Sequence, residues 1–262
     1  MRAHLKKVVH EENEFWSKIF DEEIKNNNIN HFSSYWWENY YREIAAYVKF
    51  KLNKFSNPKV LEAGAGSGKA SILLGKKLDR TLLDISDKAL DFAKELVNKF
   101  NVENIKYVKG DVFDMPFRKD SFHLVWNIGV VEHYNFEESA RALAEMVRVT
   151  KENGYIAFAV PNFSSGPILK ARLLKHTVFK FIPGYRLGTE KQYLESDLIR
   201  ILNKAVQYSD KYIEDFDVQY FGNPLPMETP KIVLKSFGRL IEKWFPKNRF
   251  LIFIIAKLRR KK

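Results

Sequence analysis

VLEAGAGSGKASILLGK, Val60 to Lys76, carries a short apolar run, Val60-Leu61, through Glu62 into glycines at 64, 66 and 68, with Ile72, Leu73, Leu74 and Leu78 following at helical spacing. The pattern predicts a strand, a glycine turn and a helix. Glycines at alternate positions let the backbone turn sharply and leave no side chain between it and a ligand, while a helix start offers free N–H groups. A nucleotide-like ligand fits such a turn; three closely spaced glycines also suit a plain turn.

The surroundings narrow the ligand. A dinucleotide loop spaces its glycines as GxGxxG, whereas here the spacing is GxGxG and Lys69 stands where the third glycine of that fingerprint would fall. Glu62, just before the turn, opposes a pyrophosphate but suits a ligand carrying a positive sulfonium and an ammonium.

At 262 residues the chain is long enough for one well-buried α/β domain with insertions, and a second full domain would be a tight fit. There is no cysteine, which excludes disulfides, thiolate metal sites and cysteine nucleophiles and suits a reducing cytoplasm. The N-terminal MRAHLKKVVHEENEFW has no apolar core of signal-peptide length, and no window reaches the roughly 18 apolar residues of a membrane span. The expectation is a cytoplasmic protein, with peripheral attachment to a membrane left open.

The net charge of +12 is unevenly placed. Residues 1 to 160 hold 24 Lys/Arg against 23 Asp/Glu, and residues 161 to 262 hold 20 against 9. A block that basic points to an acidic partner, whether a phosphorylated substrate, an anionic membrane surface or nucleic acid; a solvated surface with a basic tail is the plainer account.

From Pro58 onward short apolar runs alternate with helical periods, the mark of a parallel sheet with crossover helices. The strands are expected at Lys59 to Ala63, Thr81 to Ile85, Ile105 to Lys109, Phe122 to Trp126 and Tyr155 to Val160, with Asn153-Gly154 turning into the fifth. Ser86 can cap a helix presenting Leu90, Ala93, Leu96, Val97 and Phe100, and a second helix spans about Glu137 to Val149. Glu62, Asp84, Asp111 and Asn127 all fall at C-terminal strand ends, the edge where open parallel sheets bind ligands.

Before this core, residues 11 to 55 look helical and aromatic, broken by Asn26 to Asn30. Phe15, Trp16, Phe20, Tyr35, Trp36, Trp37, Tyr40 and Tyr41 precede Ile44, Val48 and Leu52. These rings either pack two amphipathic helices on the sheet or form a lid that stacks on an adenine and encloses a cation.

In its motifs the chain resembles the class I S-adenosylmethionine-dependent methyltransferases of the small-molecule, type 11 kind. The matching residues are Glu62-x-Gly64-x-Gly66-x-Gly68, Leu82-Leu83-Asp84-Ile85-Ser86, Gly110-Asp111-x-x-x-Met115-Pro116-Phe117, Ser121-Phe122, Val131-Glu132-His133 and Arg148-Val149, between about Pro58 and Asn162. The resemblance implies a single Rossmann-like α/β domain over residues 1–262, with a seven-stranded sheet ordered 3-2-1-4-5-7-6 and its last strand antiparallel. It implies that Glu62 and the Gly64, Ala65, Gly66 and Gly68 loop hold the methionine part of S-adenosylmethionine. Asp84 would then hold the ribose hydroxyls, Asp111 the adenine amino group and Val112 the ring; Ile85 and Asn127 complete the expected cofactor set, and S-adenosylhomocysteine is the product. Two positions depart from the pattern: His123 replaces an aspartate, which questions hydrogen bonding near the glycine loop, and Glu152-Asn153-Gly154 replaces Pro-Gly-Gly.

Methyl transfer needs alignment and exclusion of water, and a base when the acceptor is a hydroxyl. His133 is the candidate base, with Glu132 and Tyr134 in reserve; a histidine bonded to backbone at a helix start is the alternative. The six histidines show no HxxxH or HExxH spacing and no GxSxG occurs, so neither a metal site nor a serine hydrolase is expected.

The acceptor side is expected in residues 163–190 and 222–249, two basic and apolar insertions over the strand edge, with residues 56–162 as cofactor core and 1–55 as helical lid. A helix over Tyr193 to Ala205 precedes strand six, Ile213 to Phe221, and strand seven runs Phe250 to Leu258. In the second insertion Val233, Phe237, Leu240, Ile241 and Trp244 share a helical face, and Lys231, Lys235, Arg239 and Lys243 take its flank. It reads either as a packing helix or as an interfacial helix touching lipid. Methyl transfer to a small-molecule or lipid-linked, anionic acceptor is therefore the leading function. RNA methylation ranks lower, because strand four ends Asn127-Ile128-Gly129-Val130 without the Asn/Asp-Pro-Pro-aromatic motif of nucleic-acid amino methylation. A noncatalytic protein at the membrane periphery is a third reading.

Overall fold

The computed structural model describes residues 2–25, 34–75, 78–176 and 190–261. β1, Lys59–Ala63, pairs in parallel with β2, Asp79–Asp84, on one side and β4, Phe122–Ile128, on the other. β3, Ile105–Lys109, continues the sheet beyond β2, and β5, Thr150–Pro161, continues it beyond β4. β7, Leu251–Arg260, inserts antiparallel between β5 and β6, Lys211–Phe221, so the seven strands run β3-β2-β1-β4-β5-β7-β6 as expected. The run Leu251 to Ala256 is apolar and buried along its length, as an interior strand covered on both faces requires.

Alternation along the strands divides the core into two layers. Leu61, Val125 and Phe158 face α5, Phe136–Val149, and α7, Glu195–Gln207, through Leu143, Met146, Leu198 and Ile201. Val60, Leu124, Trp126 and Phe253 face α2, Tyr35–Leu52, through Trp36, Tyr40, Ile44 and Val48. α4, Asp87–Phe100, is capped as expected: the Ser86 hydroxyl accepts from the Ala89 N–H at 3.3 Å. α5 begins with a capping box between Asn135 and Glu138. α1, Arg2–Lys25, lies along α4 and starts well before residue 11; the break expected at Asn26 to Asn30 falls outside the described residues.

Several boundaries differ from the sequence reading for physical reasons. The helix after the glycine turn, α3, covers only Lys69–Ile72, because the buried Arg80 guanidinium takes the Ser71 and Ile72 carbonyls at 3.2 and 3.4 Å, and Leu73 and Leu74 lie in a turn. That arginine also places the start of β2 at Asp79 rather than Thr81, and the strand ends at Asp84 rather than Ile85. β4 runs on to Ile128, past the expected Trp126.

β5 begins at Thr150 directly after α5; Asn153, at φ 61°, and Gly154 sit within it opposite a register shift between Phe122 and Leu124. They form a bulge, not an entry turn. α7 starts at Glu195, with the Leu194 N–H donating to Asp197 at 3.1 Å, and extends past Ala205 to Gln207. β6 starts at Lys211, whose buried ammonium reaches the Val147 and Thr150 carbonyls at 2.9 and 2.5 Å. No described helix is long and apolar enough to cross a membrane.

Candidate functional site

The C-terminal ends of β1 to β4 open onto one cavity of about 310 Å³, within the size range of small-ligand sites. From the sheet its walls are Glu62, residues 64 to 67, Lys69, Ala70, Asp84, Ile85, residues 110 to 112, residues 128 to 130, His133 and Tyr134. Glu62, Gly64, Ala65, Gly66, Asp84, Ile85, Asp111, Val112 and His133 are thus brought together. Gly68 and Asn127 are not among the lining residues. Gly68 holds φ 63°, and a Cβ there would stand 2.5 Å from Leu82 Cδ1, so it lets the loop pack on β2. Asn127 shares its strand face with Val125 and donates to Met146 Sδ at 3.2 Å, which turns its side chain onto α5.

The glycine turn is built on β2. Gly64 and Ala65 donate their N–H groups to the Leu83 carbonyl at 2.8 and 2.9 Å, and Gly66 donates to Asp84 Oδ2 at 2.7 Å. A Cβ at Gly64 would meet Val130 Cγ2 at 2.7 Å. Asp84 Oδ1 accepts from the Ser86 N–H at 2.9 Å, Glu62 Oε2 from the Ser71 N–H at 3.2 Å, and Asp111 Oδ1 from the Phe113 N–H at 2.9 Å.

Those carboxyls titrate high. Burial pushes Glu62 up to about 7, against the Ser71 hydrogen bonds and with help from the Asp84 charge. Burial likewise raises Asp84 and Asp111, the latter aided by Asp114 and Glu145. Lys69, against the same cavity and 5.5 Å from the Tyr41 ring centroid, is pushed down to about 7 by burial. The cavity therefore carries several carboxylates whose charge is disfavoured and one ammonium inclined to lose its own, a donor set deficient in positive charge. A cationic ligand fits it.

The other wall comes from the N-terminal helices. α1 supplies Glu12, Trp16 and Phe20, and α2 supplies Trp37 and Tyr41. Trp16 donates its indole N–H to Glu12 at 2.8 Å and stands edge-on to the His133 ring, with centroids 5.3 Å apart. Phe20 lies 3.2 Å from where a Cβ on Gly66 would be, and Ser17 Oγ is 2.8 Å from Ser86 Oγ. The aromatic segment divides: Trp36 and Tyr40 are buried in the core, and Trp37 and Tyr41, one position along, line the cavity. Glu12, one of several acids in HEENE, carried no signal that could single it out.

His133 ends a 3₁₀ turn, Val131–His133, after β4. Burial lowers its basicity, opposed by Glu12 and Glu190, so the imidazole is neutral at pH 7. Glu132 is buried outside the lining, with its carboxyl pushed up to about 8 by burial. Tyr134 packs on Phe113 with centroids 4.9 Å apart, and its phenol is held protonated by burial. His123 lies at the opposite edge of the sheet, where Nδ1 accepts the Lys59 N–H at 2.9 Å; the glycine loop is unaffected by it.

Comparison with known proteins agrees with this geometry. Residues 61–158 match a family model described as a methyltransferase domain. An uncharacterized protein of Methanocaldococcus jannaschii is 26% identical over 212 residues, covering 78% of this chain and 77% of its own. Demethylmenaquinone methyltransferase of Chlorobaculum parvum is 30% identical over 146 residues, covering 54% of this chain, and the chain spans 57% of that relative's length. Among solved structures, magnesium protoporphyrin IX methyltransferase of Synechocystis with bound SAH superimposes with a TM-score of 0.59 at 14% identity, covering 95% of this chain and 99% of that one. Phosphoethanolamine N-methyltransferase 1 of Haemonchus contortus gives 0.62 at 14% identity, covering 95% and 49%. The strand order, the cation-deficient cavity beneath the glycine turn and the matched segment meet in one conclusion: residues 61–158 are a methyltransferase domain, with S-adenosylmethionine as its cofactor, set in a Rossmann-like seven-stranded sheet.

Proposed function

We propose that the protein transfers the methyl group of S-adenosylmethionine to a small-molecule or lipid-linked acceptor of anionic character. The observation that carries this reading is the convergence of Glu62, Asp84 and Asp111 on one cavity whose free wall is aromatic. In this reading Glu62 and the loop at residues 64 to 66 hold the methionine part, and Asp84 with Ile85 the ribose. Asp111 and Val112 hold the adenine. Glu62 becomes fully ionised against the ligand's positive charges, which offsets the cost of burying it, and Asp84 gains hydroxyl donors for its carboxylate.

When bound, S-adenosylmethionine supplies a methyl group on a positively charged sulfur, open to in-line displacement. Trp16, Phe20, Trp37 and Tyr41 keep water out and favour a cation by their ring faces. His133, neutral at pH 7, accepts the acceptor's proton when the acceptor is a hydroxyl. Residues 1–55 serve as the cover, and the insertions at 163–190 and 222–249 receive the acceptor. A basic C-terminal part suits an acceptor with phosphate or carboxylate groups and an anionic membrane as its source. Among the relatives, the similarity to a demethylmenaquinone methyltransferase supports a small-molecule acceptor.

Titration calorimetry with S-adenosylmethionine tests the cofactor half. Micromolar binding is expected in the wild type, with a loss of at least tenfold in Asp84→Ala, which removes the acceptor of two hydroxyl hydrogen bonds. A wild-type protein that takes up no cofactor would end the proposal. Labelled cofactor incubated with lipid and metabolite extracts then identifies the acceptor.

A further inference from the structure

Between β6 and β7 the chain makes a helical excursion whose apolar side chains point away from the protein. α8, Lys231–Val233, continues through a π turn, Leu234–Gly238, into α9, Arg239–Trp244. The seat is narrow. Leu234 and Gly238 are buried, and a Cβ on Gly238 would lie 2.7 Å from the Asn223 amide nitrogen, so the helix presses directly on the loop after β6.

The outer side is exposed. Val233, Phe237, Leu240 and Trp244 recur at helical spacing, with Phe237 59% and Trp244 71% exposed, and Ile232 and Phe245 widen the patch. Lys231, Lys235, Arg239 and Lys243, four residues apart, run along its flank and are exposed as well. A helix that only packs hides its apolar stripe and shows its charges; this one shows both, and a contiguous apolar patch of that kind marks an interaction surface.

We propose that this face docks the protein on an anionic lipid surface, with Phe237, Leu240 and Trp244 entering the headgroup layer and the flanking cations meeting lipid phosphates. The composition selects the occupant. A headgroup layer accepts hydrocarbon below and cations beside it, and it matches the positive balance of residues 161 to 262. Nucleic acid would satisfy the cations and leave Ile232, Phe237 and Leu240 in water.

The position also serves the site. Lys231 and Lys235 lie over the Tyr35 ring at 5.5 and 5.4 Å, and the Trp36 indole donates to the Leu225 carbonyl at 2.9 Å. These rings begin α2, the helix that supplies Trp37 and Tyr41 to the cavity. α6, Gly166–His176, joins the same loop through the Gly166 N–H donating to the Pro224 carbonyl at 3.1 Å and the Lys170 ion pair with Glu228 at 2.7 Å. It adds Leu169 and Leu173, 51% and 56% exposed. The inference rests on the methyl-transfer reading in one respect, that a docked protein draws its acceptor from the lipid layer.

Flotation of the full chain with vesicles of phosphatidylcholine, with and without phosphatidylglycerol, tests it. The wild type is expected to float with the anionic vesicles and weakly with the others. Phe237→Ser, Leu240→Ser and Trp244→Ser together should cut partitioning more than about tenfold. Lys231→Gln, Lys235→Gln and Lys243→Gln together should cut it about a hundredfold on anionic vesicles, from roughly fivefold per cation, and little on neutral ones. Calorimetry with S-adenosylmethionine on the same preparations separates the two proposals: cofactor binding without flotation defeats docking, and flotation without cofactor binding defeats the catalytic reading. Docking is also overturned if the serine variant floats like the wild type. The same holds if the wild type stays off vesicles and either forms a dimer that the serine changes dissolve or retains RNA at physiological salt.

Discussion

Glu62→Gln should make the protein more stable and a weaker binder at once. Glu62 is 4% exposed, and its carboxyl sits at about 7 instead of the usual 4.5 because burial disfavours the charge. Since the folded value lies above the unfolded one, the folded protein holds this proton more tightly. Its contribution to stability is therefore greatest below 4.5, declines as pH rises from about 4.5 to about 7, and is flat beyond. The full extent is about 3 kcal/mol, at roughly 1.4 kcal/mol per factor of ten in proton affinity. Glutamine keeps an oxygen for the Ser71 N–H, 3.2 Å away, and carries no charge.

Without cofactor, the variant should match the wild type near pH 5 and exceed it by up to about 3 kcal/mol at pH 8, measured by urea unfolding across that range. Cofactor binding should move the other way. Below pH 7 wild-type affinity should rise with pH, by up to about tenfold per unit for each proton released. The variant keeps only the slope contributed by Asp84 and Lys69. A variant no more stable than wild type at pH 8, and binding S-adenosylmethionine equally well, would refute a charged Glu62 facing a cation.

Two further predictions follow from the same geometry. His133→Asn should lower kcat about a hundredfold or more on a hydroxyl acceptor while leaving cofactor affinity unchanged, and it should remove the acid limb of the wild-type rate profile. Because burial lowers that imidazole from 6.5, the wild-type rate should stay level down to 6.5 and fall only below it. Gly68→Ala, at φ 63° and with its new Cβ 2.5 Å from Leu82, should cost about 2 kcal/mol or more in urea unfolding and weaken cofactor binding with it, although Gly68 does not line the cavity.

Much of the core was legible because it depends on local pattern. The apolar runs, the caps at Ser86 and the glycine turn each declare themselves within a few residues, and the acidic strand ends fall into register once the strands are parallel. Asn127 shows where that logic needed one more step. Its place at a strand end suggested a ligand contact, yet alternation from Val125 already directed it to the α5 side, where Met146 receives it. α3 could not be read correctly from spacing, since the arginine that ends it comes from the next strand.

Sequence alone determined the sheet, its crossover helices and the ring of carboxylates at its edge, because strand period, turn chemistry and chain connectivity act over short separations. Tertiary structure decided what covers that ring. Trp36 and Trp37 are neighbours on one helix, and only the approach of Phe250 from the distant end of the chain, 4.9 Å from Trp36 between ring centroids, assigns one to the core while the other lines the cavity. The helical segment at 231–244 read equally as a packing helix or an interfacial one until the fold left Phe237, Leu240 and Trp244 exposed among the described residues; burial is a property of what else arrives at a surface, and no single segment encodes it.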